Sequence, residues 1–201
     1  MAAVIGLPAS TVASTCEEID EIVEAVNFNS PSQTVIAGEV EGINKAIRSL
    51  REKGAARVIR LPVSGAFHTP LMREAALIFS RFLDEIDFGE PSCPIITNVD
   101  AEYKIRGDAV KEASKRQIDH PVLWEESMKK ILQEKIDLFL EVGPGRVLRS
   151  LMRGIEKSGN YPAYGQESWL GIDGPSQLIF RACKTQFQEI QPQDFFSLLE
   201  D

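Results

Sequence analysis

The order of short apolar strands and amphipathic helices over residues 1–63 is the feature that most constrains the fold of this chain. Residues 1–6 (MAAVIG) form an apolar run ended by glycine, and a helix capped by Ser10 or Thr11 is expected through about Ala25. A hairpin, a helix and a last strand should follow at 26–37, 39–53 and 57–63. The resulting order, βαββαβ, is typical of a ferredoxin-like unit.

Strands and helices continue to alternate after residue 63, which indicates an α/β core. Thr69 is a candidate N-cap, and Pro70 suits the first helical position. The expected helices are 70–86, 107–118, 121–133 and 146–157, and the expected strands are 93–99 and 137–142. Gly-Pro-Gly at 143–145 is expected to be a tight turn. We predict three parts, 1–63, 64–157 and a loosely held extension at 158–201 with a short apolar end at 195–199.

Charge and hydropathy exclude several classes of partner. Lys and Arg number 22 against 30 Asp and Glu, so a net charge of −8 argues against nucleic acid. No apolar run is long enough for a bilayer, and the first residues lack the basic segment of a signal peptide, so we predict a cytoplasmic protein without a membrane partner. A local basic cluster nevertheless favours an anionic partner; its members are Arg48, Arg51, Lys53, Arg57 and Arg60.

The cysteines indicate neither a disulfide framework nor a metal site. Cys16, Cys93 and Cys183 lie far apart in the sequence and form no CxxC pair. We expect free thiols in a reducing compartment, no bound metal and no cofactor.

Two histidines, His68 and His120, are the candidates for imidazole chemistry. His68 lies between a predicted strand and a helix N-terminus, where functional groups of α/β folds gather, whereas His120 precedes a proline in a predicted surface turn. A capping or packed histidine is an equally simple interpretation of His68. The sequence contains no GxSxG motif, so a candidate base is present without an evident serine nucleophile.

Six blocks of sequence, in one order, resemble a known family. They are MAAVIG (1–6), NFNSPSQTVIAG (27–38), LPVSGAFHTPLM (61–72), ITNVDA (96–101), RQIDHPVLW (116–124) and EVGPGRVL (141–148). Residues 1 to about 157 resemble the C-terminal portion of malonyl-CoA:acyl-carrier-protein transacylases of type II fatty-acid synthesis. The resemblance implies a ferredoxin-like small subdomain followed by the C-terminal part of a hydrolase-like α/β acyltransferase core.

The resemblance also implies roles for three residues. His68, in GAFH, matches the general base that serves a serine nucleophile, and the malonyl-serine ester then passes its acyl group to the phosphopantetheine thiol of acyl carrier protein. Gln117 matches a residue whose backbone carbonyl orients that histidine, which leaves its side chain of little consequence. Phe67 matches a position associated with preference for malonyl over branched groups. The coenzyme A thioester is then a substrate, with no cofactor.

Weaker matches concern the small subdomain. Asn27, Asn29 and Gln33 match a loop that faces the cleft, and Arg57 matches a basic residue near the coenzyme A phosphates. For the asparagines, turn chemistry around Ser-Pro is the alternative, and for Arg57 it is a solvated charge on an edge strand.

This sequence departs from the family because the region with the nucleophilic serine is not in it. We therefore expect a chain that is inactive alone and has, besides malonyl-CoA and acyl carrier protein, a missing N-terminal half as a partner. An alternative is a non-catalytic module that binds acyl carrier protein or coenzyme A. Another is a transferase for a different acyl group, against which the bulky Phe67 argues.

Overall fold

The computed structural model describes residues 1–134, 136, 138–142, 146–158, 169–172 and 178–182. Its contacts divide the chain into two compact units, Met1–Met128 and Lys129–Asp201. The division that the sequence predicts at residue 63 is therefore not the one that the contacts make, and the three predicted parts stay a prediction. The turn at 143–145, Cys183 and the apolar end at 195–199 lie outside the described residues.

The first unit begins with a four-stranded antiparallel sheet and two helices. In chain order these are β1 (Ala2–Ile5), α1 (Ala9–Glu17), β2 (Val23–Ser30), β3 (Gln33–Gly38), α2 (Val40–Glu52) and β4 (Arg57–Arg60). The strands lie in the order β2-β3-β1-β4, so β1 is central and β4 is an edge strand. The element order predicted for this region is thus found.

The two faces of this sheet are distinguished by their alternating side chains. One face supports α1 and α2, and its core includes Val4, Ile36 and Val58 with Ile43 and Leu50 of α2. The opposite face has a smaller apolar cluster, formed by Ala3, Val26, Val35 and Ala37, with Met1 and Leu61 packed against it. Polar residues that share this second face with the small cluster are therefore not covered by the helices.

Helix α1 ends much earlier than the sequence predicted. It stops at Glu17, and Val23 and Ala25 are strand residues that pair with Gly38 and Ile36. The approach at Gly38 is very close, because a Cβ there would lie 2.1 Å from the carbonyl oxygen of Ile22. Pairing with β3 buries Val23 in the core, and this long-range contact outweighs the local helical spacing.

The rest of the first unit consists of helices and a short hairpin. A 3-10 turn (Pro70–Met72) leads into α3 (Arg73–Asp84), β5 (Ile95–Thr97) pairs with β6 (Glu102–Lys104), and α4 (Gly107–Arg116) and α5 (Trp124–Leu132) follow. The strand predicted at 93–99 is shorter because Asp100 ends it: its carboxylate accepts hydrogen bonds from the Thr97 hydroxyl and the Glu102 amide. The boundary between the two units falls within α5.

The second unit contains a three-stranded sheet. The strand β7 (Leu138–Val142) is central, pairing in parallel with β8 (Trp169–Ile172) and antiparallel with β9 (Leu178–Ala182). The buried carboxylate of Glu141 accepts the amide hydrogens of Leu148 and Arg149, at 2.9 and 3.2 Å, and so caps the start of α6 (Val147–Glu156). The sequence predicted neither β8 nor β9.

The described residues contain neither a membrane-spanning helix nor a metal-binding cluster. No described helix combines the length and the apolar character needed to cross a membrane. Within the same residues, no group of three or more His, Cys, Asp or Glu side chains is arranged to hold a metal ion.

Candidate active site around His68

His68 lies in the loop between β4 and α3 in an unusual backbone conformation. Its φ is 69°, in the left-handed region that a residue with a Cβ rarely adopts. Its amide donates a 2.9 Å hydrogen bond to the carbonyl of Ile118, and the buried Thr69 hydroxyl donates to the Ala66 carbonyl at 2.6 Å. These contacts hold the loop on both sides of His68. Thr69 occupies the predicted cap position, but its hydroxyl makes no helix-capping bond.

The imidazole of His68 contacts a backbone carbonyl. Its Nδ1 is 2.8 Å from the carbonyl oxygen of Gln117, and the pair is partly buried. A carbonyl oxygen can only accept, so Nδ1 must hold the proton in this contact. The neutral ring then keeps its lone pair at Nε2, which is the state required of a general base.

The other imidazole has a different environment. His120 is exposed, and its Nδ1 is 2.7 Å from Oδ1 of the neighbouring Asp119. This pair of adjacent residues forms a local contact at the surface, whereas the His68 contact joins residues 49 positions apart. His120 is therefore the natural comparison residue for His68.

Residues 117–123 connect His68 to the four-stranded sheet. Val122 bridges to β2, donating its amide to the Val26 carbonyl at 2.7 Å and accepting from the Phe28 amide at 2.9 Å. The Leu123 amide donates to the Asn98 carbonyl at 2.7 Å. The helix predicted from residue 121 begins only at Trp124, because 121–123 form these contacts instead. Asn98, Ile118 and Val122 were not singled out from the sequence, although all three lie in blocks that resemble the family.

Asn27 and Asn29 lie on the strand that Val122 bridges. Both are partly buried in β2, which is interrupted by irregularities after Ala25 and after Phe28. Irregular pairing of this kind redirects side chains along a strand. The structure thus places both asparagines on the segment that is joined to the His68 loop through residues 117–123.

Gln33 and Arg57 lie farther across the same sheet. The register pairs Ile5 with both residues, so Gln33, Ile5 and Arg57 form one row across β3, β1 and β4. Arg57 alternates with Val58, so it lies on the face away from α2. Three strand spacings separate β4 from β2, about 14 Å. Gln33 is therefore near the asparagines, while Arg57 is at the opposite edge.

The basic cluster predicted from the sequence is not one surface. Arg48 pairs with Glu41 on α2, Lys53 pairs with Glu18, and Arg60 donates to Asn44. Arg51 donates to the carbonyl of Val58 at 3.5 Å. Arg57 is exposed, and its side chain has no hydrogen-bond or ion-pair partner among the described residues. Among the described residues, Arg57 is therefore the member of the cluster whose side chain has no such partner, and it lies on the face opposite α2.

Phe67 precedes His68 and is 42% exposed. Its ring lies over Gly65, where an added Cβ would be 2.9 Å from a ring carbon. The ring of the residue before His68 is thus exposed rather than buried in the core.

Of the two described cysteines, Cys16 is unsuited to act as a nucleophile for His68. Cys16 is part of the core beneath the sheet, and burial is the main cause that raises its pKa to about 12, with Glu24 and Glu17 adding to the effect. Cys93 is exposed.

The chain is similar in sequence to curated malonyl CoA-acyl carrier protein transacylases. No family model matches the chain. It is 41% identical over 157 residues to the malonyl CoA-acyl carrier protein transacylase of Escherichia coli strain K12, a match covering 77% of this chain and 51% of the relative. The chain thus spans about half the length of the curated relatives it matches.

Solved structures agree with the sequence comparison. The malonyl CoA-acyl carrier protein transacylase from Coxiella burnetii is 32% identical, with a TM-score of 0.77, over 85% of this chain and 52% of that one. A malonyl-transacylase solved in complex with its type II polyketide acyl-carrier protein is 34% identical, with a TM-score of 0.75, over 86% of this chain and 53% of that one. The resemblance and the α/β class stated from the sequence are therefore confirmed.

Proposed function

We propose that this chain, whose matched residues belong to the malonyl CoA-acyl carrier protein transacylase family, provides the histidine-bearing part of an enzyme that transfers malonyl groups from coenzyme A to acyl carrier protein. The observation that carries the proposal is the 2.8 Å contact between His68 Nδ1 and the Gln117 carbonyl. The left-handed backbone at His68 supports it, because strained residues of this kind concentrate at functional sites.

In the proposed reaction, His68 is the general base and Gln117 orients it. Nε2 accepts the proton of a serine hydroxyl as that oxygen attacks the malonyl thioester carbonyl, and the coenzyme A sulfur leaves and takes the proton. In the second half, Nε2 accepts the proton of the phosphopantetheine thiol, whose sulfur attacks the malonyl-serine ester; the proton then returns to the serine oxygen. Because the sequence has no GxSxG motif, the serine is supplied from outside these 201 residues.

Substrate contacts are proposed for residues on both sides of the base. Phe67 narrows the acyl pocket, since it directly precedes His68 in the chain and its ring is exposed. Asn27, Asn29 and Gln33 face the substrate from β2 and β3, and Arg57 meets the phosphates at the far edge of the sheet. An extended coenzyme A ligand could span such a separation.

The domain arrangement follows the family in this proposal. Residues 1–63 form a ferredoxin-like subdomain, supported by the strand order β2-β3-β1-β4, and residues 64–157 belong to a hydrolase-like core, with 158–201 as an extension. Acyl carrier protein is the proposed macromolecular partner, since a structural relative was solved in complex with one. The absence of a cofactor and the cytoplasmic location stay predictions.

A chimeric protein tests the proposed function. The part of the E. coli relative that this chain does not match is joined to this chain in the order of the relative, and radiolabelled malonyl-CoA and acyl carrier protein are added. We expect malonyl transfer by the chimera, slower transfer from acetyl- and methylmalonyl-CoA, and none by the chain alone. A folded chimera that transfers no malonyl group would contradict the proposal.

The role of Arg57 has a matched control. Arg57→Ala in the chimera should raise KM for malonyl-CoA, since an unpaired cation near the phosphates is removed, and should leave kcat nearly unchanged. Arg48→Ala removes an arginine that is paired with Glu41 on α2 and should leave both constants unchanged. Equal KM values for the two variants would exclude the proposed phosphate contact.

A further inference from the structure

The side chain of Gln117 makes two hydrogen bonds that its backbone role does not require. Its amide nitrogen Nε2 is 3.2 Å from the carbonyl oxygen of His120 and 3.2 Å from that of Pro121. A side-chain amide nitrogen has two hydrogens, so both donors are used. The amide orientation is fixed by its surroundings, because the amide oxygen could not face two carbonyl oxygens.

These bonds close the turn that follows α4. Gln117 is the residue that ends this helix, with φ −65° and ψ −27°, and Val122, five residues later, already pairs with β2. Pro121 has no amide hydrogen to contribute. The Gln117 side chain therefore ties the end of α4 to the start of the segment that is anchored on the sheet.

The same residue presents its carbonyl to His68. The Gln117 carbonyl receives His68 Nδ1 at 2.8 Å, while the next carbonyl, that of Ile118, receives the His68 amide at 2.9 Å. Two successive peptide groups must therefore hold their orientation at the exit of a helix, where backbone carbonyls have no helical partner. A turn that opened would rotate both of them.

We propose that Gln117 is a positioning residue whose side-chain amide, through the carbonyls of His120 and Pro121, holds its own backbone carbonyl against His68 Nδ1. This proposal differs from the sequence-based expectation that the Gln117 side chain is of little consequence. The significance of this position for catalysis rests on the proposed function, but the effect on the imidazole does not.

The tautomer of His68 is the direct readout. The Gln117 carbonyl favours the neutral ring that is protonated at Nδ1. One hydrogen bond of ordinary net strength changes the ratio of the Nδ1–H and Nε2–H tautomers about fivefold. Gln117→Met keeps the length of the side chain and removes both donors. Gln133→Met is the matched control, since Gln133 is exposed and lies outside the turn.

The experiment measures the imidazole ¹⁵N shifts of the whole chain at a pH where the rings are neutral. His68 and His120 are distinguished with a His120→Ala variant. We expect the Nδ1–H form to dominate at His68, the ratio of Nδ1–H to Nε2–H to fall about fivefold in Gln117→Met, and no change in Gln133→Met. An unchanged ratio in folded Gln117→Met would overturn the inference.

A second measurement applies if Gln117→Met does not fold. Couplings across hydrogen bonds, from the Gln117 side-chain nitrogen to the carbonyl carbons of residues 120 and 121, are measured in the unmodified chain. Detection of either coupling supports the inference, and absence of both overturns it. A chimera that transfers no malonyl group while the His68 ratio shifts would instead contradict the proposed function alone.

Discussion

At position 68, a glycine variant should be more stable than an alanine variant, which is the reverse of the usual order. The backbone at His68 has φ 69°, where a Cβ crowds the neighbouring carbonyl oxygen at a cost of about 1–2 kcal/mol. Both variants lose the ring contact to the Gln117 carbonyl. Alanine keeps the Cβ and its cost, whereas glycine removes it.

The expected difference is the balance of two terms. Glycine elsewhere is less stable than alanine by about 0.5–1 kcal/mol, because the unfolded chain is more flexible. At His68 the released strain exceeds this cost, so His68→Gly should be more stable than His68→Ala by about 1 kcal/mol. His120 is not in the left-handed region, so there alanine should be more stable than glycine by about 0.5 kcal/mol.

Urea unfolding followed by tryptophan fluorescence measures both pairs. The two tryptophans are Trp124, buried in the first unit, and Trp169, so a Trp169→Phe background restricts the signal to the first unit. With a slope of about 2 kcal/mol/M, the midpoint of His68→Gly should exceed that of His68→Ala by about half a molar. An alanine variant at least as stable as the glycine variant at His68 would refute the strain argument.

Three further predictions concern stability and reactivity. At pH 8 the Cys16 thiolate fraction should be on the order of 10⁻⁴, so peptide mapping after iodoacetamide should find Cys93 alkylated and Cys16 protected. Because folding raises the pKa of Cys16, the stability that the protonated thiol contributes should be lost as the pH rises from about 9 toward 12. Gly107→Ala should destabilise the chain by more than about 2 kcal/mol in urea unfolding, despite the better helix propensity of alanine, because a Cβ there would lie 2.2 Å from the Phe88 carbonyl oxygen. Gly89→Ala is the control, since a Cβ at that position meets nothing within 4 Å. Glu141→Ala should lower the stability of the second unit by about 2–3 kcal/mol, because two charged hydrogen bonds to helix amides are lost. Amide hydrogen exchange in α6 measures the loss, and unchanged exchange would contradict the role of Glu141 as a cap.

Local periodicity was sufficient for the elements that bury a regular apolar face. The predicted helix at 39–53 is observed at Val40–Glu52, and its buried residues include Ile43, Ala46 and Leu50, as their spacing requires. The strand predicted at 137–142 is observed at Leu138–Val142 for the same reason. In these segments the local pattern and the tertiary contacts favour the same structure.

Elements that depend on distant partners could not be predicted in this way. The length of β2 is set by pairing with β3, and β6 has three residues, Glu102–Lys104, with no alternating apolar pattern. β8 and β9 are defined by their pairing with β7 across a segment rich in glycine and proline. Their strand character comes from hydrogen bonds to residues far away in the sequence.

The candidate site was predictable in its residue types but not in its geometry. Chain position and the resemblance singled out His68, and the resemblance alone singled out Gln117. The structure brings atoms of the two residues within hydrogen-bond distance. The left-handed backbone of His68 and the two side-chain bonds of Gln117 have no local signal, because both depend on how residues 117–123 fit between a loop and a strand. The catalytic roles stay a proposal.

The most direct test of the central claim is the rate of malonyl transfer by two variants of the chimera. His68→Ala removes the proposed base, and a general base contributes about 10²–10⁴-fold to such reactions. His120→Ala removes the other imidazole, which is exposed and paired locally with Asp119. We predict that His68→Ala lowers kcat/KM at least 100-fold while His120→Ala leaves it within about twofold. Equal rates for the two variants, with both proteins folded, would contradict the assignment of His68 as the base.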